Sequence, residues 1–382
     1  MISYGRQSIN QKDIDSVTKV LQSDFLTQGP MVEAFEKKVA QYCGAKYAVA
    51  VCNATAALHI ACLAAEVGKG DVVWTAPNTF VASANCALYC DANVDFVDID
   101  DNTYNISVEK LEKKLANSEK PPKVVIPVHF AGQSCEMEKI HELAKKYNFI
   151  VIEDASHAIG ADYKDTKVGS CKYSDMVVFS FHPVKIITTG EGGMVLTNNE
   201  KLYEKLILYR SHGITRKSEL MENKPDGPWY YEQITLGFNY RMTELQATLG
   251  FSQMDRLDEF VAKRRNLVRR YDDLLKDLPL RLPYQNAEAK SSWHLYVVRL
   301  DFSNLNMDKK EFFAKMSDAG INLNLHYIPV HLQPYYKKLG FKKGDFPVSE
   351  KYYDEVFTIP LYYDLSYEQQ EHVVNSLKSL LK

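Results

Sequence analysis

Short runs rich in β-branched residues alternate with helical patterns from about residue 45 to residue 180, and this alternation restricts the folds open to the chain. The runs occupy residues 47–52, 71–75, 94–98, 123–129, 148–153 and 176–180. Between them lie helical segments such as residues 134–147, where apolar residues recur at helical spacing after Ser134, a residue type suited to capping a helix. Strands joined by helices in this order predict an α/β fold with a mostly parallel sheet.

The pattern changes after Thr197, and the rest of the chain predicts a second, smaller domain. A long amphipathic helix begins near Met254, and after it come a predicted strand at 292–298, a helix at 308–316 and a closing helix at 367–381. A chain of 382 residues exceeds what one hydrophobic core usually supports. We therefore predict a large domain at residues 1–250 and a small C-terminal α/β domain at residues 251–382.

Charge and composition argue against several classes of protein. The 46 basic and 49 acidic side chains leave a net charge of −3, so no strong field favours a nucleic acid or a membrane surface. The first ten residues lack the apolar core of a signal peptide, and no run has the length of a membrane span. The seven cysteines lack the paired spacing of a zinc site, so no metal is expected. We expect a cytoplasmic protein with mostly reduced, buried cysteines.

Asp154 and Lys185 each follow a predicted strand, at the sheet edge where open α/β proteins bind ligands. A buried carboxylate at Asp154 could pair with a protonated pyridine nitrogen, or it could cap the next turn. At Lys185, burial and a nearby cation would lower the pKa of the amine and allow it to form a Schiff base with an aldehyde. The simpler alternative for Lys185 is a solvated lysine in a surface loop.

Residues 53–57 read Asn-Ala-Thr-Ala-Ala and join a strand to an apolar helix. Free N–H groups at that helix terminus, together with the Thr55 hydroxyl, could form a cradle for a phosphate, or Thr55 could be a plain N-cap. Phe80 could stack on a flat ring or belong to the core, and His157 could contact such a ring or be satisfied by the backbone. The glycines at 190–193 allow a tight turn but lack the spacing of a dinucleotide fingerprint, so NAD is not suggested.

In this order the motifs resemble the sugar aminotransferases of the DegT/DnrJ/EryC1/StrS family, which have the fold of type I pyridoxal-phosphate enzymes. The resemblance covers almost the whole chain and rests on residues 26–30, 53–57, 153–157, 180–185, 190–193, 237–242 and 326–329. It implies a pyridoxal 5′-phosphate-dependent enzyme whose large domain binds the cofactor.

The resemblance also implies a role for each motif. Lys185, Asp154 and His157 would be the catalytic residues, with Lys185 as the Schiff-base lysine and Asp154 paired with the pyridinium nitrogen. Phe80 and His157 would flank the cofactor ring, and the phosphate would be bound by Thr55, Ala56, Ser180 and Asn239. Asn239 would come from the neighbouring subunit, so the family pattern implies a homodimer with shared active sites.

The segment around Lys185 is similar to that of the aminotransferases of the pseudaminic-acid pathway, which act at C4 of a UDP-linked 4-keto-6-deoxy-N-acetylhexosamine. We expect L-glutamate as the amino donor. By this resemblance the sugar nucleotide would face Tyr4, Asp24, Phe25, Leu26, Thr27, Asn324, Leu325, His326 and Tyr327. Pro183 stands where alanine is common in that branch, and a proline there would stiffen the loop that carries Lys185.

Several other functions are compatible with parts of this pattern. The substrate could be a dTDP- or GDP-linked keto sugar, or the chain could be a non-catalytic regulator that binds pyridoxal phosphate. A sugar dehydratase of the same family would carry histidine in place of Lys185, and a Rossmann oxidoreductase would carry the glycine fingerprint. The joint presence of Lys185, Asp154 and His157 favours the aminotransferase.

Overall fold

A seven-stranded sheet forms the centre of the protein in the computed structural model, which describes residues 1–381. The strands of the whole chain are β1 (Tyr47–Val51), β2 (Val72–Thr75), β3 (Asn93–Phe96), β4 (Val124–Ile126), β5 (Ile150–Asp154), β6 (Asp162–Tyr163), β7 (Thr166–Lys167), β8 (Met176–Ser180), β9 (Gly193–Thr197), β10 (Ile214–Thr215), β11 (Glu232–Gln233), β12 (Ala289–Lys290), β13 (Tyr296–Arg299) and β14 (Val356–Ile359).

Helices cover the sheet and build most of the C-terminal part. They are α1 (Gln11–Leu21), α2 (Pro30–Cys43), α3 (Ala54–Ala64), α4 (Ala82–Tyr89), α5 (Val108–Asn117), α6 (Met137–Tyr147), α7 (Glu200–Arg210), α8 (Glu244–Gln253), α9 (Leu257–Leu275), α10 (Lys309–Asp318), α11 (Pro334–Lys337), α12 (Pro347–Glu355) and α13 (Tyr367–Leu381).

The central sheet has the strand order β1-β9-β8-β5-β4-β2-β3. Only β9 runs against its neighbours, pairing antiparallel with both β1 and β8, while the pairs from β8 to β3 are parallel. Each of the six β-branched runs overlaps one of its strands. The predicted α/β fold with a mostly parallel sheet is confirmed. Buried crossover helices such as α3 cover the sheet, so its strands are apolar and buried on both faces.

Two local predictions are wrong. The helix expected at 134–147 begins at Met137, with Glu136 in the N-cap position, and the Ser134 hydroxyl donates to the Cys135 carbonyl instead of capping. The strand expected at 292–298 is shortened to β13, because Trp293 adopts a left-handed backbone conformation with φ of +54° that a strand cannot contain.

The long helix α9 belongs to two hydrophobic cores. Its first turns, with Leu257 and Phe260, pack under the central sheet, whereas Leu267 and Tyr271 pack with β13, β14, α10 and α13 in the C-terminal core. Ile2 forms a bridge with Ile321 and packs on that same C-terminal core. The proposed division into residues 1–250 and 251–382 stays a prediction, with α9 as the element that connects the two parts.

The described residues contain no helix with the length and apolar character that crossing a membrane requires. Within residues 1–381, no group of three or more histidine, cysteine, aspartate or glutamate side chains is arranged to hold a metal ion. All seven cysteines are free thiols, and six of them are buried.

Candidate active site

A cavity of about 640 Å³ lies at the carboxyl ends of β5 and β8 and contains most of the predicted site residues. Its wall includes Tyr4, Thr55, Phe80, Asp154, His157, Ser180, Lys185, Asn324, Leu325, His326 and Tyr327. The parallel strands bring residues distant in sequence to one edge of the sheet, and the segment 324–327 closes the cavity from the C-terminal side. The juxtaposition of Asp154 and Lys185 expected from the sequence is therefore observed.

Asp154 is the last residue of β5, and its carboxylate is buried. Its Oδ1 accepts a hydrogen bond from the Ser156 amide at 3.1 Å, and its Oδ2 accepts one from the Ser83 hydroxyl at 2.5 Å. The Ser156 hydrogen bond shows that the residue closes the next turn, and Asp154 also lines the cavity; its pairing with a ring nitrogen stays a prediction. Within residues 1–381 no lysine or arginine forms an ion pair with it, so a cationic ring nitrogen fits the charge of the site.

Lys185 lies on the loop after β8, with its side chain partly exposed to the cavity. Burial lowers the pKa of the amine to about 8, and the nearby Asp154 carboxylate opposes that change. Of the two expected causes of a low pKa, burial is present, but the charged neighbour is the Asp154 carboxylate and not a cation. A lysine with this pKa has a substantial neutral fraction near neutral pH, as Schiff-base formation requires.

His157 is held in one tautomer by its two hydrogen bonds. Its Nδ1 accepts from the Ala131 amide at 3.3 Å, so the neutral ring carries its proton on Nε2 and donates to the Tyr327 hydroxyl oxygen at 3.2 Å. Burial, reinforced by Lys185, lowers the pKa of His157 well below its usual value. The Tyr327 hydroxyl keeps its own proton, because burial raises the pKa of the phenol, and that proton is available to a ligand in the cavity.

Three further histidines, His182, His294 and His326, line the cavity, and only His326 among them was predicted as a site residue. His326 Nδ1 and the Thr358 hydroxyl share a hydrogen bond of 2.8 Å, and burial lowers the pKa of His326 to about 3. His294 is buried beside His157, its Nδ1 has no hydrogen-bond partner within residues 1–381, and burial lowers its pKa as well. His294 follows Trp293, whose backbone is left-handed. The sequence predicted a regular strand for both residues, and a regular strand gives no indication that the His294 ring faces the site.

The N-terminus of α3 forms one end of the cavity. Asn53, not Thr55, is the N-cap, and its Oδ1 accepts from the Ala56 amide at 2.8 Å. Thr55 is in the first turn and lines the cavity, whereas Ala56 is buried behind it. Gly193 packs directly on this turn, since a Cβ there would lie 2.5 Å from the Asn53 carbonyl carbon. The sequence signal for the cap was available, because asparagine is among the best N-cap residues.

Phe80 extends into the cavity from the segment between β2 and α4. It is 59% exposed, so its assignment to the core is wrong, and its ring centroid lies 6.3 Å from that of Tyr327. An exposed aromatic face beside a buried carboxylate and a lysine suits a flat heteroaromatic ligand. The Ser180 hydroxyl lies at the same end of the cavity as the α3 turn, and together with the α3 amides it provides donors for an anionic group.

Tyr4, Asn324 and His326 form the part of the wall contributed by the N- and C-terminal segments. The rings of Tyr4 and His326 have centroids 5.1 Å apart, and burial raises the pKa of the Tyr4 phenol while Asn324 hydrogen-bonds to it. Tyr4 is therefore a neutral donor at physiological pH. These neutral polar groups suit the hydroxyl and amide groups of a sugar.

The segment 24–27 and Asn239 do not line the cavity of their own chain. Asp24, Phe25, Leu26 and Thr27 are exposed, and the segment is anchored by the Glu244 amide, which donates to the Leu26 carbonyl. Asn239 is exposed as well, and its backbone pairs with Ser211. Their predicted contacts with substrate and cofactor stay predictions.

Comparison with known proteins agrees with this site. Residues 7–378 match the DegT/DnrJ/EryC1/StrS aminotransferase family. A Campylobacter jejuni protein named UDP-4-amino-4,6-dideoxy-N-acetyl-beta-L-altrosamine transaminase is 39% identical over 385 residues, covering 100% of this chain and 98% of the relative. Helicobacter pylori PseC, described as an aminotransferase involved in the biosynthesis of pseudoaminic acid, has a TM-score of 0.91 at 30% identity, covering 100% of this chain and 99% of that chain.

The Streptococcus pneumoniae protein Spr1654 bears on the cofactor, because it has been solved in forms named for pyridoxal phosphate and pyridoxamine phosphate. Its pyridoxal-phosphate form has a TM-score of 0.90 at 28% identity, covering 99% of this chain and 97% of that chain. In the present chain Asp154, Lys185 and the α3 turn have the chemistry that this cofactor needs. The chain belongs to the DegT/DnrJ/EryC1/StrS aminotransferase family, and it is an aminotransferase whose cofactor is pyridoxal 5′-phosphate.

Proposed function

We propose that this aminotransferase moves the amino group of L-glutamate to C4 of a UDP-linked 4-keto-6-deoxy-N-acetylhexosamine, in the biosynthesis of an amino sugar such as pseudaminic acid. The observation that carries the proposal is the division of the cavity. Lys185 and Asp154 lie at the sheet edge, and the N- and C-terminal segments contribute the neutral donors Tyr4, Asn324 and Tyr327 to the same cavity. The names of the Campylobacter and Helicobacter relatives support the choice of sugar.

Lys185 is proposed as both the attachment point of the cofactor and the group that moves the proton. The depressed pKa of its amine leaves Nζ able to take a proton from the α-carbon of the amino donor. The same Nζ then returns a proton to C4 of the sugar in the second half of the reaction. One residue can serve both halves because the two substrates occupy the same cavity in turn.

Asp154 is proposed to provide the electrostatic part of the mechanism. Pyridoxal phosphate, when bound, supplies an electron-accepting ring that stabilises negative charge at the carbon losing the proton. The buried Asp154 carboxylate would keep the ring nitrogen protonated, and His157 and Phe80 would flank the ring. Thr55, Ser180 and the first amides of α3 would hold the phosphate, with Asn239 of a second subunit completing the site.

The homodimer is part of the proposal because large apolar side chains are exposed in the segment 24–27 and in the stretch of sequence before Asn239. Trp229 and Leu236 are 68% and 76% exposed, and Phe25 in the segment 24–27 is 53% exposed. Large apolar side chains at this level of exposure are typical of surfaces that pack against a partner. A second copy of the chain would cover these side chains. In such a dimer, Asn239 and residues 24–27 of each chain would lie beside the cavity of the other chain. The cytoplasmic location stays a prediction.

A substrate panel tests the proposed sugar. The purified protein, loaded with pyridoxal phosphate, would receive L-glutamate and 4-keto sugars linked to UDP, dTDP or GDP, with the products identified by mass spectrometry. We expect the UDP-linked N-acetylhexosamine to show a kcat/KM at least about tenfold above the others, because a pocket shaped for one nucleotide discriminates by about 1.4 kcal/mol or more. Lys185→Ala is the control that should aminate none of them.

The possible results distinguish an error in the substrate from an error in the amino donor and from an error in the reaction itself. Amination of a dTDP- or GDP-linked sugar alone would retain the aminotransferase and replace the substrate. If L-glutamate leaves the visible absorption of the bound cofactor unchanged while another amino acid alters it, the amino donor is wrong. Retention of the cofactor without conversion by any amino acid would contradict the proposed first half of the reaction.

A further inference from the structure

Asp154 is held by two hydroxyl groups that come from outside its own strand. Ser83 in α4 has no exposed surface, and its Oγ lies 2.5 Å from Asp154 Oδ2. Thr79, on the segment between β2 and α4, is also buried, and its Oγ1 lies 2.8 Å from Ser83 Oγ. Thr79, Ser83 and Asp154 therefore form a continuous hydrogen-bonded chain that ends at the carboxylate.

The direction of every hydrogen bond in this chain is fixed by the carboxylate. An ionised Asp154 can only accept hydrogen bonds, so the single hydroxyl proton of Ser83 must point to Oδ2. Ser83 then has no proton left for Thr79, so Thr79 donates to Ser83. Both hydroxyl dipoles point their positive ends towards the negative charge, and hydrogen bonds in such a chain strengthen one another in a buried setting.

We propose that Ser83 and Thr79 are positioning residues that keep Asp154 ionised and directed at the ring nitrogen of pyridoxal phosphate. Hydrogen bonds to a carboxylate favour its ionised form, whereas burial favours the protonated form. A protonated or rotated Asp154 would no longer hold positive charge on the ring nitrogen. The inference depends on the cofactor and is independent of which sugar is the substrate.

Ser83 is in the first turn of α4, and its hydroxyl does not cap that helix. The hydroxyl instead donates to Asp154 at the end of β5. The same connecting segment contacts the site at another point, since Asn78 Oδ1 accepts from the Tyr327 amide at 3.3 Å.

The test measures the pH dependence of the visible absorption of the holoenzyme without substrate, together with kcat and KM for L-glutamate. Because Ser83 donates to the charged group that acts on the ring, Ser83→Ala should lower kcat about tenfold while the KM changes less. A carboxylate without this donor would bind the ring proton more tightly, and the midpoint of the absorption change should move to higher pH. Ser83→Thr, which keeps the hydroxyl, should restore both quantities towards wild type.

Ser349→Ala is the matched control, because the buried Ser349 hydroxyl also donates to a carboxylate, Asp98, at 2.8 Å, and neither residue lines the cavity. This variant should leave the absorption midpoint unchanged even if it lowers thermal stability. Thr79→Val should shift the midpoint in the same direction as Ser83→Ala but by less. Adding Thr79→Val to Ser83→Ala should have little further effect, because the chain is already broken.

An unchanged absorption midpoint and an unchanged kcat in a folded Ser83→Ala protein would overturn the proposal. Equal shifts in Ser83→Ala and Ser349→Ala would also overturn it, since the effect would then be a general loss of stability. If Ser83→Ala fails to fold, Thr79→Val alone decides, and an unchanged midpoint there counts against the proposal.

Discussion

The imidazole rings of His157 and His294 pack against each other with their centroids 4.4 Å apart. Burial lowers the pKa of both rings well below that of a free histidine, and it lowers the pKa of His326, in the same cavity wall, to about 3. All three rings are therefore neutral at physiological pH. Lys185, whose pKa is about 8, is the cavity residue proposed to exchange its proton near neutral pH.

The neutral histidines predict a loss of stability in mild acid. The unfolded chain binds a proton at each histidine below about pH 6.5, while folded His326 stays neutral until about pH 3, so stability falls as the pH drops through that interval. His326→Gln should remove about 1 kcal/mol of the difference in unfolding free energy between pH 7.5 and pH 5.5. Urea denaturation at the two pH values measures it, with the exposed His372→Gln as the control. If the unfolding free energy changed by the same amount between the two pH values in His326→Gln and in wild type, the assignment of this effect to His326 would be contradicted.

The depressed pKa of Lys185 predicts how the apo-protein takes up its cofactor. Only the neutral amine attacks the aldehyde, so the rate at which the visible absorption band forms should rise with pH and level off above about pH 8. Asp154 raises the pKa of Lys185, so Asp154→Asn should move this midpoint to lower pH. Stopped-flow mixing of apo-protein with pyridoxal phosphate gives the profile. A midpoint near that of free lysine would show that the amine is solvated.

Asp154→Asn should also separate cofactor binding from turnover. Asparagine keeps the size of the side chain but removes the charge that holds a proton on the ring nitrogen. We expect binding of pyridoxal phosphate within about tenfold of wild type and a kcat lower by about a hundredfold or more, in the range found when one electrostatic group is removed from an active site. Steady-state kinetics and a cofactor titration supply the two numbers. Near-normal turnover would remove Asp154 from the mechanism.

The sequence predicted the parts of the site that follow strands directly, because the order of α/β elements fixes where strand ends lie. Asp154 and Lys185 are of this kind. Thr79 and His294 reach the cavity, and Ser83 reaches Asp154, from other elements, and nothing in their sequence neighbourhoods distinguishes them from structural residues. The expected cation near Lys185 illustrates the same limit, because the pKa depends on how many neutral groups exclude water from the amine, and that is a property of three-dimensional packing.

Gly193 predicts a steric requirement behind the phosphate end of the cavity. A Cβ at this position would lie 2.5 Å from the Asn53 carbonyl carbon and 2.6 Å from the Ala54 nitrogen, so Gly193→Ala must displace the first turn of α3. The displaced amides should weaken binding of pyridoxal phosphate about tenfold or more, because oriented N–H groups at a helix terminus provide much of the anion site. Gly68→Ala, where a Cβ meets nothing within 4 Å, is the control for equilibrium titration. Equal affinities in the two variants would show that the turn is not needed.

Asn239 allows a direct test of whether two chains share each active site. Asn239→Asp would place a negative charge against the cofactor phosphate, so homodimers of this variant and of Lys185→Ala should both be nearly inactive. A hybrid dimer purified with two different tags would contain one site with both native residues, because Lys185 and Asn239 of that site come from different chains. We therefore expect the hybrid to recover about half of the wild-type activity per dimer.

The matched control is a hybrid dimer of one Lys185→Ala chain and one Asp154→Asn chain. Lys185 and Asp154 line the same cavity within a single chain. In that hybrid each site carries one defect, so no activity should return even though the subunits mix as before. Recovery in the Asn239 hybrid together with none in the Asp154 hybrid would require a site built from both subunits. Inactivity of both hybrids would mean that Asn239 acts within its own chain, and the exposed side chains of Phe25, Trp229 and Leu236 would then need another partner.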